Sequence, residues 1–254
     1  MTEPRRILIT GGTSGVGLAT ARRLAAAGPC RIVLNGRDAG RGAAACAALR
    51  ALRPDGHAAF VAADVSDAES VAQLVATAAR ELDGPIDVLV NSAGGDFLPT
   101  LFHDTAPADI DGIVRTWLLG TMLVCRHALP HLRDGAAIVN VASDAAKVPT
   151  PGEAAIGAVM AGIAMFSRTL AMEGKRRGLR VNVVAPSLID GTPTSARVTA
   201  GGFSARLFAK AAKAAHLGLP TAEDVAAMVA FLAGPDAARV TGQVVSVNGG
   251  ISAG

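Results

Sequence analysis

The stretch Thr10-Gly11-Gly12-Thr13-Ser14-Gly15-Val16-Gly17 follows a short apolar run and opens a helical pattern. Glycines at such a junction let backbone N–H groups approach a phosphate at the positive end of a helix, which is how the pyrophosphate of a dinucleotide is held. At the end of the next apolar run, a site for NAD would carry a carboxylate for the ribose 2′-hydroxyl. The chain instead reads Leu34-Asn35-Gly36-Arg37, which leaves room for a 2′-phosphate and supplies a cation to meet it. NADP(H) is therefore expected, with NAD(H) the alternative. Asp38 is expected to cap the following helix. Two counts bear on other chemistry. The 254 residues include no tyrosine, and the three cysteines, Cys30, Cys46 and Cys125, are too scattered for a disulfide framework or a zinc cluster. Such cysteines suit a reducing cytosol.

These residues need a scaffold, and the pattern of the chain supplies one. Apolar runs at 6–10, 31–35, 58–62, 86–91, 137–141, 180–184 and 244–247 alternate with helical stretches at 15–27, 38–52, 67–82, 107–132, 152–175 and 221–232. The runs are almost continuously apolar, as strands of a parallel sheet covered on both faces must be. The expectation is an α/β protein: one Rossmann-type domain over 1–254, a doubly wound parallel sheet of about seven strands with helices on both faces. Residues 1–95 form mainly its nucleotide half. Residues 187–219, rich in Gly, Pro, Thr and Ser, are too long for an ordinary connection and are expected to form a substrate lid.

Composition narrows the partners. Half of the residues are apolar and 18% are charged, which excludes disorder. A mean hydropathy of +0.39 raises the question of a membrane span. The apolar stretch 154–166 is shorter than the roughly 20 residues a bilayer needs and reads as a buried helix shared with a second subunit. Arg5 and Arg6 lead into a strand pattern with no cleavage site after it, so no signal peptide is expected. The net charge is +3, basic residues are scattered and aromatics make up 3%. A nucleic-acid groove needs a basic stripe with stacking aromatics. The expected partner is thus a small-molecule substrate or ligand, with no nucleic acid and no membrane, in a cytoplasmic homodimer or homotetramer.

Five ordered motifs resemble the short-chain dehydrogenase/reductase family. They are Thr10 to Gly17, Ala63-Asp64-Val65, Asn91-Ser92-Ala93-Gly94, Arg180-Val181-Asn182-Val183-Val184-Ala185-Pro186, and Gly242-Gln243-Val244 with Asn248-Gly249-Gly250. The resemblance implies cofactor contacts from Gly11, Thr13, Ser14, Gly15, Val16, Gly17 and Arg37. It puts Asp64 and Val65 beside the adenine, Asn91, Ala93 and Gly94 along the nicotinamide, and Pro186 to Ile189 at the carboxamide. Ser187 stands where the family usually has Gly.

Ser143 matches the family's serine. The Tyr-x-x-x-Lys pair that follows it is absent: Ile156 takes the tyrosine place, Met160 the lysine place, and Trp117 that of an asparagine on the preceding helix. The family's tyrosine protonates the developing alkoxide, a service typically worth about 10²–10⁴-fold. Isoleucine and methionine have no such proton, and ordinary ketone reduction should be crippled. Glu153, three residues before Ile156, is the candidate replacement acid, beside the alternative of a solvated carboxylate at a helix N-terminus. Asp96 is expected to face substrate or serve as plain turn chemistry. The leading expectation is an oxidoreductase acting on C=N or activated C=C bonds. The alternative is a non-redox protein of the same fold, a cyclase, an isomerase or an inactive subunit of a hetero-oligomer.

Overall fold

The computed structural model describes residues 3–253; residues 1, 2 and 254, the ends of the expected domain, lie outside the described residues. The strands are β1 (Arg5–Thr10), β2 (Cys30–Gly36), β3 (His57–Ala62), β4 (Ile86–Asn91), β5 (Leu132–Val141), β6 (Arg180–Pro186) and β7 (Val244–Val247). They form one sheet in the order β3-β2-β1-β4-β5-β6-β7, every pair parallel. The α-helices are α1 (Gly15–Ala27), α2 (Ala39–Leu52), α3 (Ala68–Leu82), α4 (Pro107–Ile113), α5 (Gly120–Ala128), α6 (Ala154–Gly174), α7 (Pro193–Val198), α8 (Gly202–Ala214) and α9 (Ala222–Ala233).

Side-chain alternation explains why the strands read as continuous apolar runs. Ile7, Ile9, Ile32, Leu34, Val88 and Val90 face one core with α1, α2 and α9. Their neighbours Leu8, Val33 and Leu89 face the other core with α3, α5 and α6. Both faces are covered, so both sets must be apolar. Each fully buried Leu or Ile contributes about 1.5–3 kcal/mol of hydrophobic stabilisation. Helix starts follow local chemistry: Asp38 accepts a hydrogen bond from the Arg41 N–H at 2.8 Å, as expected of a cap. Asp67 does the same for Ser70 at 3.1 Å, and Thr221 with Asp224 closes a capping box on α9.

Two boundaries differ from the sequence expectation. The single helix expected over 107–132 is instead α4, a π-helical turn over Val114–Leu119, α5 and a 3₁₀ turn over Leu129–His131. Strand β5 starts at Leu132, five residues before the expected 137, with a register shift opposite Ile86 to Val88 that lets exposed Asp134 and Gly135 sit within it. Helix α6 spans Ala154–Gly174, within the expected 152–175, and is by length and composition long and apolar enough to cross a membrane. Its packing against β6, with Ile163, Ser167 and Leu170 buried, makes it a core helix.

From β1 the chain crosses to one face of the sheet, and from β4 to the other. The carboxyl ends of these neighbouring strands therefore open into a crevice, the place where doubly wound sheets bind ligands. The Ser92 N–H donates to the Thr10 carbonyl at 3.2 Å across its floor.

Candidate active site

Glycines shape the crevice because side chains would fill it. Gly11 has φ +63° and Gly15 φ +49°, conformations that favour glycine. A Cβ on Gly11 would collide with the Ser92 carbonyl, and one on Gly17 with the Gly11 carbonyl. The turn is thereby held tight against β4, and the N-terminus of α1 points into the crevice. A cavity of about 460 Å³ begins there, lined by Gly11, Thr13, Ser14, Gly15 and Val16. It continues past Arg37, Asp64 and Val65 to Ala93, Gly94, Pro186, Ser187 and Ile189. This is a cradle of backbone N–H groups with an arginine at the ribose end, and its residues fit NADP(H).

Two expected cofactor residues are not on the wall. Gly17 lies buried in α1, where its missing Cβ allows the close packing of the turn. The Asn91 side chain points beneath the floor, its amide donating to Asn140 Oδ1 at 2.8 Å and to Cys125 Sγ at 3.3 Å. Asn140 in turn donates to Ser167 Oγ at 2.8 Å. Asn91 is thus part of a buried polar chain that ties β4 to β5 and α6. Cys125, within that chain, has its thiol pushed up to about 12 by burial and is inert. Cys30 and Cys46 are also buried and free.

At the mouth of the cavity Asp96 stands between two arginines, Arg37 at 3.4 Å and Arg197 of α7 at 3.0 Å. Asp96 therefore does more than turn a corner: it links the loop after β4 to both the cofactor side and the segment over 187–219. Nearby, burial raises the Asp64 carboxyl's affinity for a proton, but the Ser66 N–H and hydroxyl, with Arg37, outweigh it and hold the carboxyl below its usual range. Arg197 was not foreseen. Its chemistry could have been read, but nothing in the sequence indicated which residue of the 187–219 stretch faces inward.

The inner end of the cavity brings the remaining candidates together. Ser143, at the end of β5, accepts a hydrogen bond from the Ala145 N–H at 3.2 Å, satisfying a turn while lining the cavity. On α6 and its N-cap, Glu153, Ile156 and Met160 all line the same wall. Trp117, carried by the π-helical turn, lines the same cavity and packs against the cluster that holds Ile156 and Met160. Glu153 makes no capping bond. Burial pushes its carboxyl up to about 7; the side chain of Thr150 opposes this by hydrogen bonding and the charge of Asp144 adds to it. Asp144 is buried and accepts from Ser246 Oγ at 2.9 Å, Asn248 Nδ2 at 3.1 Å and the Ser252 hydroxyl, fixing the chain's last turn to the site. A carboxyl that shares its proton near neutral pH, beside an apolar wall, can donate that proton to a bound base.

The sequence profile of the enoyl-(acyl carrier protein) reductase family matches residues 11–252. The chain is 38% identical to a cis-4-hydroxycyclohexanecarboxylate dehydrogenase of Sinomonas cyclohexanicum, over 98% of this chain and 97% of that protein. It is 37% identical to a 2,3-dihydroxy-2,3-dihydro-p-cumate dehydrogenase of Pseudomonas putida, over 98% and 94%. Among solved structures, a short chain dehydrogenase from Burkholderia cenocepacia J2315 in complex with NADP superposes with a TM-score of 0.88. That protein is 31% identical, and the match covers 98% of each chain.

Proposed function

Because this chain belongs to the short-chain dehydrogenase/reductase family of oxidoreductases, we propose that it is an NADP(H)-dependent reductase with a non-standard site, acting on C=N or activated C=C bonds. The observation that carries this reading is one continuous cavity, with an intact nucleotide cradle at one end and Glu153 beside Ile156 and Met160 at the other. The reduced cofactor, when bound, supplies a hydride. Arg37 is suited to the 2′-phosphate, the N-terminus of α1 to the pyrophosphate, and Asp64 and Val65 to the adenine. Pro186 and Ile189 flank the nicotinamide end.

The apolar pair on α6 cannot protonate an alkoxide, so a ketone would depend on Glu153 for its proton. A C=N bond avoids that need once its nitrogen holds a proton, and Glu153 has one to give. The substrate's nitrogen takes this proton, its carbon takes the hydride, and water restores the carboxyl, so the product is an amine. Ser143 is suited to orient the substrate. The segment over 187–219, folded as α7 and α8 against the cavity, acts as the lid. Exposed Met122 on α5 and Met165 and Met172 on α6 support association of copies through these helices.

Calorimetry with NADPH and NADH tests the reading first. The expected result is saturable NADPH binding with weaker NADH binding, followed by substrate-dependent loss of nicotinamide absorbance with imines or activated alkenes. The emptied proton relay favours a second reading, a non-redox protein or an inactive subunit. Absence of binding by either nucleotide would establish that reading in place of the first.

A further inference from the structure

The inner end of the cavity is an aromatic slot. Phe97 and Trp117 meet edge to face, with ring centroids 5.6 Å apart and planes at 69°. Glycines make room for this pair: a Cβ on Gly95 would lie 2.7 Å from the Phe97 ring, and one on Gly112 2.6 Å from it. Trp117, carried by the π-helical turn, is partly buried and lines the cavity. Such π turns occur frequently at functional sites. Ile156 and Met160, about one turn apart on α6, pack in the same apolar cluster as Trp117, and Glu153, the N-cap of α6, lines the same cavity. Trp117, Ile156 and Met160 give this end of the cavity an apolar side, and Glu153, Ser143 and Asp144 line it as well.

We propose that this slot selects a planar cyclic imine, bound as its iminium with the ring against Trp117 and the nitrogen at Glu153. This rests on the reductase reading and names its substrate class. The imine nitrogen takes the Glu153 proton, and the resulting cation is held by the carboxylate on one side and the indole face on the other, a contact that strengthens when water is excluded. The iminium carbon then accepts the hydride pair of the reduced nicotinamide, and the C=N π pair moves to nitrogen. The product is a neutral cyclic amine, and water reprotonates Glu153.

Trp117 is the chain's one tryptophan and there is no tyrosine, so its fluorescence reports this slot alone. The full-length protein is titrated with 3,4-dihydroisoquinoline and, separately, with its nitrogen-free counterpart 1,2-dihydronaphthalene. The expected result is saturable quenching by the imine, with at least about tenfold weaker binding of the hydrocarbon. Equal affinity for the two, or saturable imine binding that leaves the emission unchanged, overturns the proposal. Trp117→Leu, followed by calorimetry, is expected to weaken imine binding by about tenfold. Should that variant fail to fold, Glu153→Gln retains the fluorophore. It is expected to lose imine affinity while binding the hydrocarbon as before, and parallel behaviour of the two probes counts against the assignment. Nicotinamide absorbance is followed in parallel. Ring binding without NADPH oxidation ends the reductase reading and leaves the slot standing. NADPH oxidation by open-chain imines with no change at Trp117 ends the slot and leaves the reductase reading.

Discussion

Glu153 is pulled in two directions, because the burial that makes it a useful acid also makes its charged form costly. Below its ordinary value of 4.5 it is neutral in the folded and unfolded chain alike. Between there and about 7 the folded protein holds a proton that the unfolded chain releases, so stability falls as pH rises through this window and levels off above it. Urea denaturation from pH 4 to 8 should therefore show a loss for the wild type that Glu153→Gln lacks; parallel curves would remove Glu153 from the account. Reduction of a neutral imine should decline above about pH 7 as the acid form disappears, and the same variant should lose about 10²–10⁴-fold in rate. Arg37 supports a separate prediction. Arg37→Ala should erase most of the preference for NADPH over NADH in calorimetry, and an unchanged ratio would mean that another group holds the 2′-phosphate. Both residues could be picked out from type and spacing. Asp96 could be named as well, but its two arginine partners could not, since one of them is 101 positions further along the chain.

Among the elements, α1 begins and ends where its periodicity and glycine turn place it, because local geometry and burial agree there. Gly17→Ala tests that agreement. The added methyl would meet the Gly11 carbonyl, so a loss of about 1–3 kcal/mol is expected, together with weaker NADPH binding. Gly28→Ala is the control: its backbone is extended and no atom lies within 4 Å of a Cβ there. Its thermal midpoint should stay close to that of the wild type, and equal losses in both variants would remove the Gly11 contact as the cause. The stretch from 107 to 132 shows the opposite case. Its apolar spacing suits one helix, but the π-helical turn inserts extra backbone between α4 and α5 and brings Trp117 onto the cavity. Leu118 meanwhile packs against Gly162 of α6, where a Cβ would lie 3.1 Å away. Such a turn is set by packing partners distant in sequence and leaves no periodic signal.

At the scale of the whole molecule, α5 and α6 carry part of the exposed apolar surface. Met165 and Met172 are 59% and 60% exposed on a helix whose other face is core. Light scattering on the purified protein should give the mass of a dimer or tetramer, and Met172→Glu should shift it toward the monomer. A monomer at tens of micromolar would remove these helices as an interface. The segment over 187–219 belongs to the same scale. Its length and composition mark it as an insertion, but α7 reaches the cavity through Arg197, which contacts Gly95 and Asp96 across the molecule, and α8 through Leu207, Phe208 and Ala211.

The sequence by itself determined the architecture. Continuous apolar strands require a sheet covered on both faces, and strict alternation with helices requires parallel connections. A glycine turn after the first strand lets the backbone approach a ligand at the switch point, and the chain contains no tyrosine. All of these follow from composition and short-range spacing. Tertiary structure alone decided which side chains share the cavity. It turned Asn91 under the floor, drew Asp96 between Arg37 and Arg197, brought Trp117 to the cavity wall, and set Glu153 where burial raises its carboxyl. The reason is physical: hydrogen bonding, desolvation and ion pairing depend on distances between atoms, and residues dozens of positions apart acquire those distances only when the sheet closes them together.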